Sequence, residues 1–156
     1  MVLYEYIDII IRIGAIVLDN ITQLRRGDRT VIAWVTNPYA SRSIVQCARR
    51  IADENKAELI IISIQNSIKD NWVSTMKDLE VLVDAAHSAN AELTVMYSDN
   101  KMETAFKTMC SVKPAAMVMG VPDSTGKNDF VDLLVNYDKN VFVYTVDSHG
   151  NALKLA

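Results

Sequence analysis

The sequence is poor in the residues from which most catalytic and metal sites are built. It has only two cysteines, Cys47 and Cys110, too few and too far apart for a metal or redox motif. Both are expected to be buried core thiols, since free cysteine behaves as a small hydrophobe. It has only two histidines, His87 and His149, and neither belongs to a set with an acid and a nucleophile. There is no excess of basic charge. Sixteen Lys and Arg against nineteen Asp and Glu leave a net charge of −3, which excludes a general nucleic-acid binder with a basic face. Nor is there an unbroken apolar run long enough to cross a membrane. The isoleucine-rich start, Leu3 to Leu24, is interrupted by Glu5, Asp8, Arg12 and Asp19. It lacks the basic leader and small-residue cleavage site of a secretory signal, so a cytoplasmic location is the expectation.

What is present is one domain's worth of chain, 156 residues, half of them hydrophobic, enough for a full core. The organising stretch is Thr30 to Gln65. Val31-Ile32-Ala33-Trp34-Val35 is continuously apolar, as suits a strand covered on both faces. After a short polar link, Ile44, Ala48, Ile51 and Ala52 mark one face of a helix, with Asn55 placed to end it in the left-handed conformation. A second buried strand, Leu59 to Ile64, completes a right-handed strand–helix–strand unit.

The same alternation continues. A helix is predicted over 71–89 (Trp72, Met76, Leu79, Val83), then a strand from Leu93 to Tyr97. The next helix is capped by Asn100 with Glu103, buries Met102, Phe106 and Met109, and stops at Lys113-Pro114. A strand from Ala115 to Met119, a short helix over 129–135 and a last strand from Val141 to Val146 follow. Trp34, Phe142 and the methionines read as core, and residues 147–156 as a frayed tail. The predicted fold class is α/β, an open Rossmann-like sheet of five parallel strands. The predicted organisation is an N-terminal amphipathic helix and linker over 1–29, an α/β domain over 30–146, and the tail. The helix over 2–25 is apolar around most of its circumference, so it is expected to pack against a second subunit or another protein.

In such sheets ligands bind at the carboxyl ends of the strands. Here these ends carry Thr36, Asn37, Ser41 and Ser43 in the first loop, and Gly120, Val121, Asp123, Ser124 and Thr125 after the fourth predicted strand. Ser41-Arg42-Ser43 opens a helix whose N–H groups could meet an anion. Asp99 and Asp123 are the candidates for a magnesium-associated carboxylate, although a loop aspartate is more often a turn or cap residue. No catalytic set and no metal site is expected, and the chain is read as non-enzymatic.

The framework resembles the universal stress protein family over about 30–146. The phrases that carry it are TVIAWVTNP, CARRIADENKAELIIISI, LEVLVDAAHSANAEL, KPAAMVMGVP and VFVYTV. Within that family it is most similar to the universal-stress-like domain of Kdp-type potassium-sensing histidine kinases. The resemblance implies a regulatory or nucleotide-sensing module in signalling or stress response, with an adenine nucleotide or cyclic di-AMP as ligand; the alternative is a ligand-free dimeric scaffold. It also implies a homodimer formed through the last strand, which should lie at the sheet edge with Phe142 or Tyr144 at the interface; the apolar N-terminal helix, which the resemblance does not cover, offers Ile7, Ile10 and Val17 as a second surface. Two departures bear on the ligand. Asp123 stands where ATP-binding members carry the second glycine of their phosphate motif, Leu133-Leu134 fill its last two positions, and the first-loop aspartate is missing. Ser41-Arg42-Ser43 matches the S-x-S element of cyclic di-AMP binders, but Leu59-Ile60-Ile61-Ile62-Ser63 occupies the place of their aromatic element.

Overall fold

A computed structural model describes residues 16–17, 29–66, 72–122 and 128–155. Its elements in chain order are β1 (Ile16–Val17), β2 (Thr30–Trp34), a 3-10 turn (Pro38–Ala40), α1 (Ser41–Glu54), β3 (Glu58–Gln65), α2 (Trp72–Ser88) and β4 (Glu92–Tyr97). They continue with α3 (Lys101–Val112), β5 (Ala116–Gly120), α4 (Asp129–Tyr137), β6 (Phe142–Val146) and β7 (Ala152–Lys154). The strands form one sheet in the order β1-β4-β3-β2-β5-β6-β7, parallel throughout except for the last pair.

The apolar run of β2 explains its central place. Val31, Ala33 and Val35 pack toward α1 and α2, while Ile32 and Trp34 face Met109 and Leu134 on the opposite side. Ile60, Ile61 and Ile62 of β3 are likewise fully buried. Each such side chain contributes about 2 kcal/mol of burial, more than an exposed ion pair such as Arg49–Asp53 on α1. Trp34 also donates its indole N–H to Met117 Sδ at 3.4 Å and meets Phe130 edge-on at 5.6 Å.

The exits of α1 and α2 both close as Schellman turns. Ala57 N–H donates to Ala52 O at 2.8 Å, and Ala91 N–H to Ala86 O at 3.0 Å. The left-handed residues are Lys56 (φ 52°) and Asn90 (φ 49°). Asn55 was expected in that role, but the turn closes one residue later, and its side chain donates to Ile51 O instead. Asn100 caps α3 as expected, accepting from Glu103 N–H at 3.1 Å. At the other end Lys113 takes the left-handed conformation (φ 54°), which stops the helix before Pro114.

Several expectations are corrected. The sheet is mixed and has six strands from Thr30 onward, plus β1. The expected frayed tail is ordered over 147–155, because Ala152–Lys154 pairs antiparallel with β6. Asp147 makes the reversal: its carboxylate accepts from the N–H groups of His149 and Asn151, both at 2.9 Å, and Gly150 supplies the positive φ of 83°. The last parallel strand is therefore not at the edge. Ile16 and Val17 were expected in a helix and instead extend parallel to β4; the rest of the predicted N-terminal helix lies outside the described residues. On α3 the buried stripe is Ala105, Thr108, Met109 and Val112, so Phe106 and Cys110 are exposed, and Phe106 rests edge-on against Tyr137. Cys47 is buried as expected; burial pushes its thiol up, only partly offset by Arg50. Phe142, expected in the core, is 44% exposed, with the Lys154 ammonium 4.0 Å above its ring. Among the described residues no helix is long and apolar enough to cross a membrane.

Candidate functional site

The connection after β2 runs through α1 to β3 on one side, while β5 lies on the other side of β2. The two loops leaving β2 and β5 therefore diverge, and a crevice opens between them, where doubly wound sheets place their ligands. It encloses a cavity of about 490 Å3. One wall comes from Val35, Thr36, Asn37, Ala40 and Ile44, the other from Met119, Gly120, Val121 and Asn128. Trp34, Ile62, Ile64 and Phe130 form the apolar floor, and Lys101 and Met102 close the third side from the start of α3.

The local sequence makes this shape. Asn37 accepts from Tyr39 N–H at 3.0 Å and starts the 3-10 turn, in which Pro38 is buried. That turn carries the chain away from the sheet and leads into α1, so the first loop stays short. Gly120 ends β5 without a side chain, which lets Ile44 approach closely. Asn128 caps α4 by accepting from Val131 N–H at 3.0 Å.

Of the residues singled out from the sequence, Thr36, Asn37, Gly120 and Val121 line the crevice together. Ser41 is buried and donates its hydroxyl to Pro38 O, so its side chain fastens the turn. Ser43 is half-buried on α1 and does not line the cavity. Asp123, Ser124 and Thr125 lie outside the described residues. Asp99, His87 and His149 are exposed and away from the cavity lining. Among the described residues no group of three or more His, Cys, Asp or Glu could hold a metal ion.

Sequence reasoning missed Lys101, Asn128 and Phe130. The lysine stands beside a cap residue and reads as a solvated charge, and Phe130 reads as the core side of a short helix. Only the topological rule about strand ends could have pointed to them, since α3 and α4 start at those ends.

No family model matches the sequence, and no curated protein matches it either. Solved structures do match. A universal stress protein in complex with cAMP superposes with a TM-score of 0.57 at 19% identity, over 77% of this chain and 97% of the other. A universal stress protein from Archaeoglobus fulgidus gives 0.54 at 15% identity, over 74% and 97%. A member of that family from Burkholderia pseudomallei gives 0.53 at 12%, over 78% and 98%. At such identities the likeness speaks for architecture, and this chain has the Rossmann-like α/β fold of the universal stress proteins.

Proposed function

We propose that this chain is a non-enzymatic regulatory module that senses an adenine nucleotide in the crevice between β2 and β5. The observation that carries the reading is the crevice itself. It lies at the topological switch point and, among the described residues, has apolar walls, a few polar groups (Thr36, Asn37, Asn128) and one cation. Its volume falls within the range of small-molecule sites, roughly 300–1,000 Å3. A neighbour of the same fold is described with cAMP, which supports an adenine ligand here. Apolar faces suit a purine ring, while amide and hydroxyl groups can read its edge or the ribose. The sequence argues against the usual ATP grip, because Asp123 puts bulk and negative charge where a glycine would admit a phosphate.

The reading includes signalling or stress response in the cytoplasm, of the kind performed by the Kdp-type domain that the sequence resembles, and a homodimer. The test is calorimetric titration of the whole chain with adenosine, AMP, cAMP, ATP with magnesium, and cyclic di-AMP. Binding of at least one in the micromolar range, with NMR shifts at Thr36 and Val121, supports the proposal. No binding of any up to about 1 mM, some −4 kcal/mol, overturns it.

One observation favours the rival reading of a ligand-free dimeric scaffold. The β6–β7 margin leaves Phe142 44% and Leu153 63% exposed, on opposite faces of the sheet, and such apolar positions suit a partner.

A further inference from the structure

Among the described residues, Lys101 is the only charged one in the crevice lining. It is half-buried, at the first position of α3, an element that belongs to neither of the two loops flanking the switch point. That position is unfavourable for a cation, because the positive end of the helix dipole and the lysine repel. The carboxylate that normally compensates sits two residues on, but Glu103 is engaged elsewhere. It pairs with Lys107 at 2.8 Å and accepts from the Asn100 amide at 3.1 Å. Among the described residues no carboxylate is paired with Lys101. Lys101 lines a cavity whose other described lining residues are neutral, so an anion seated there would meet both the lysine charge and the dipole of α3.

We infer that Lys101 is the phosphate-contacting residue of the crevice and that it selects adenine nucleotides presenting a single phosphate. The inference rests on the nucleotide reading above and adds where the charge is met and how much charge is accepted. One lysine balances one phosphate. A triphosphate would bring further negative charge into a cavity with no second cation among its described lining residues.

The experiment compares the full-length wild type with Lys101→Met and Lys101→Arg, titrating adenosine, AMP, cAMP and ATP at two salt concentrations. Both variants change a half-buried side chain at a helix start, and circular dichroism melts verify that they fold. AMP or cAMP should bind the wild type at least as tightly as ATP. Lys101→Met should weaken AMP or cAMP by about tenfold or more and flatten their salt dependence, while adenosine affinity stays within about twofold. Lys101→Arg should restore most of the loss. If Lys101→Met binds AMP and cAMP as the wild type does, Lys101 is not the phosphate partner and the nucleotide reading still stands. Tighter binding of ATP than of AMP or cAMP overturns the selectivity. If none of the four binds, this inference falls, and the nucleotide reading falls as well once cyclic di-AMP also fails to bind.

Discussion

A Cβ placed on Gly120 would stand 3.1 Å from Cδ1 of Ile44, so the end of β5 and the start of α1 touch beside the crevice with no space for a larger side chain. Gly120→Ala asks only that the tip of a flexible isoleucine give by a few tenths of an ångström. It should cost less than about 1 kcal/mol. Gly120→Val cannot be absorbed that way. It should destabilise by about 1–3 kcal/mol in a chemical denaturation midpoint and weaken any crevice ligand further, because the added methyls enter the cavity. A Gly120→Val variant as stable as wild type would show that the close approach has slack.

Ser41 and Ser43 separate by what their hydroxyls do. Ser41 is buried and bonded to Pro38 O, so Ser41→Ala should cost about 1 kcal/mol, a fall of roughly 2–4 °C in Tm for a chain of this size. Ser43→Ala should stay within about 0.5 kcal/mol. Ligand affinity should change little in either. A Ser41→Ala protein that melts normally but binds nucleotide tenfold more weakly would return the serine to the ligand.

The strands and helices were legible because each carries its own period. Val31 to Val35 and Leu59 to Ile64 are unbroken apolar runs, and Ile44, Ala48, Ile51 and Ala52 repeat at helical spacing. What failed depended on partners. Ala152-Leu153-Lys154 has no pattern and becomes a strand only against the edge of β6; Asp147 and Gly150 were the available turn signals. The phase of α3 was set on Phe106, yet the face that meets the sheet is the one with Ala105, Thr108, Met109 and Val112. Half of the crevice was legible from the rule about strand ends. The α3 side was not, because lysine at a helix start gives no local sign of facing a cavity.

The turn into β7 should be sensitive to acid. Asp147 is held below its ordinary carboxyl range of about 3.8, first by the backbone N–H of Asn151, with further help from that residue's amide and from His149. A carboxyl with a lowered folded pKa contributes stability that is present above its unfolded value and is lost as pH falls through the folded one. Protection of the Leu155 amide, which donates to Val143 O at 2.7 Å, should therefore fall at acid pH before that of β2 and β3. Asp147→Ala should produce the same loss at neutral pH. Unchanged Leu155 exchange in that variant would sink the idea.

The predicted dimer now has a different edge. Leu155 N–H donates to Val143 O and Asp147 N–H to Asn151 O, which fixes the alternation along the antiparallel β6–β7 ladder. Leu153, opposite Thr145, belongs to the inward set, so the backbone groups of Ala152 and Lys154 point away from the sheet. These free groups, beside exposed Leu153 and Leu155, offer a second copy an antiparallel strand to pair with. Light scattering should report twice the 17.4 kDa chain mass at micromolar concentration. Lys154→Pro removes one outward N–H and leaves the inward ladder intact, so it should yield a folded monomer, although it also deletes the ammonium that lies 4.0 Å above the Phe142 ring. Lys154→Ala, which loses that contact but keeps the N–H, should remain dimeric. A monomeric wild type ends the proposal; a dimer that survives Lys154→Pro moves the interface to another surface.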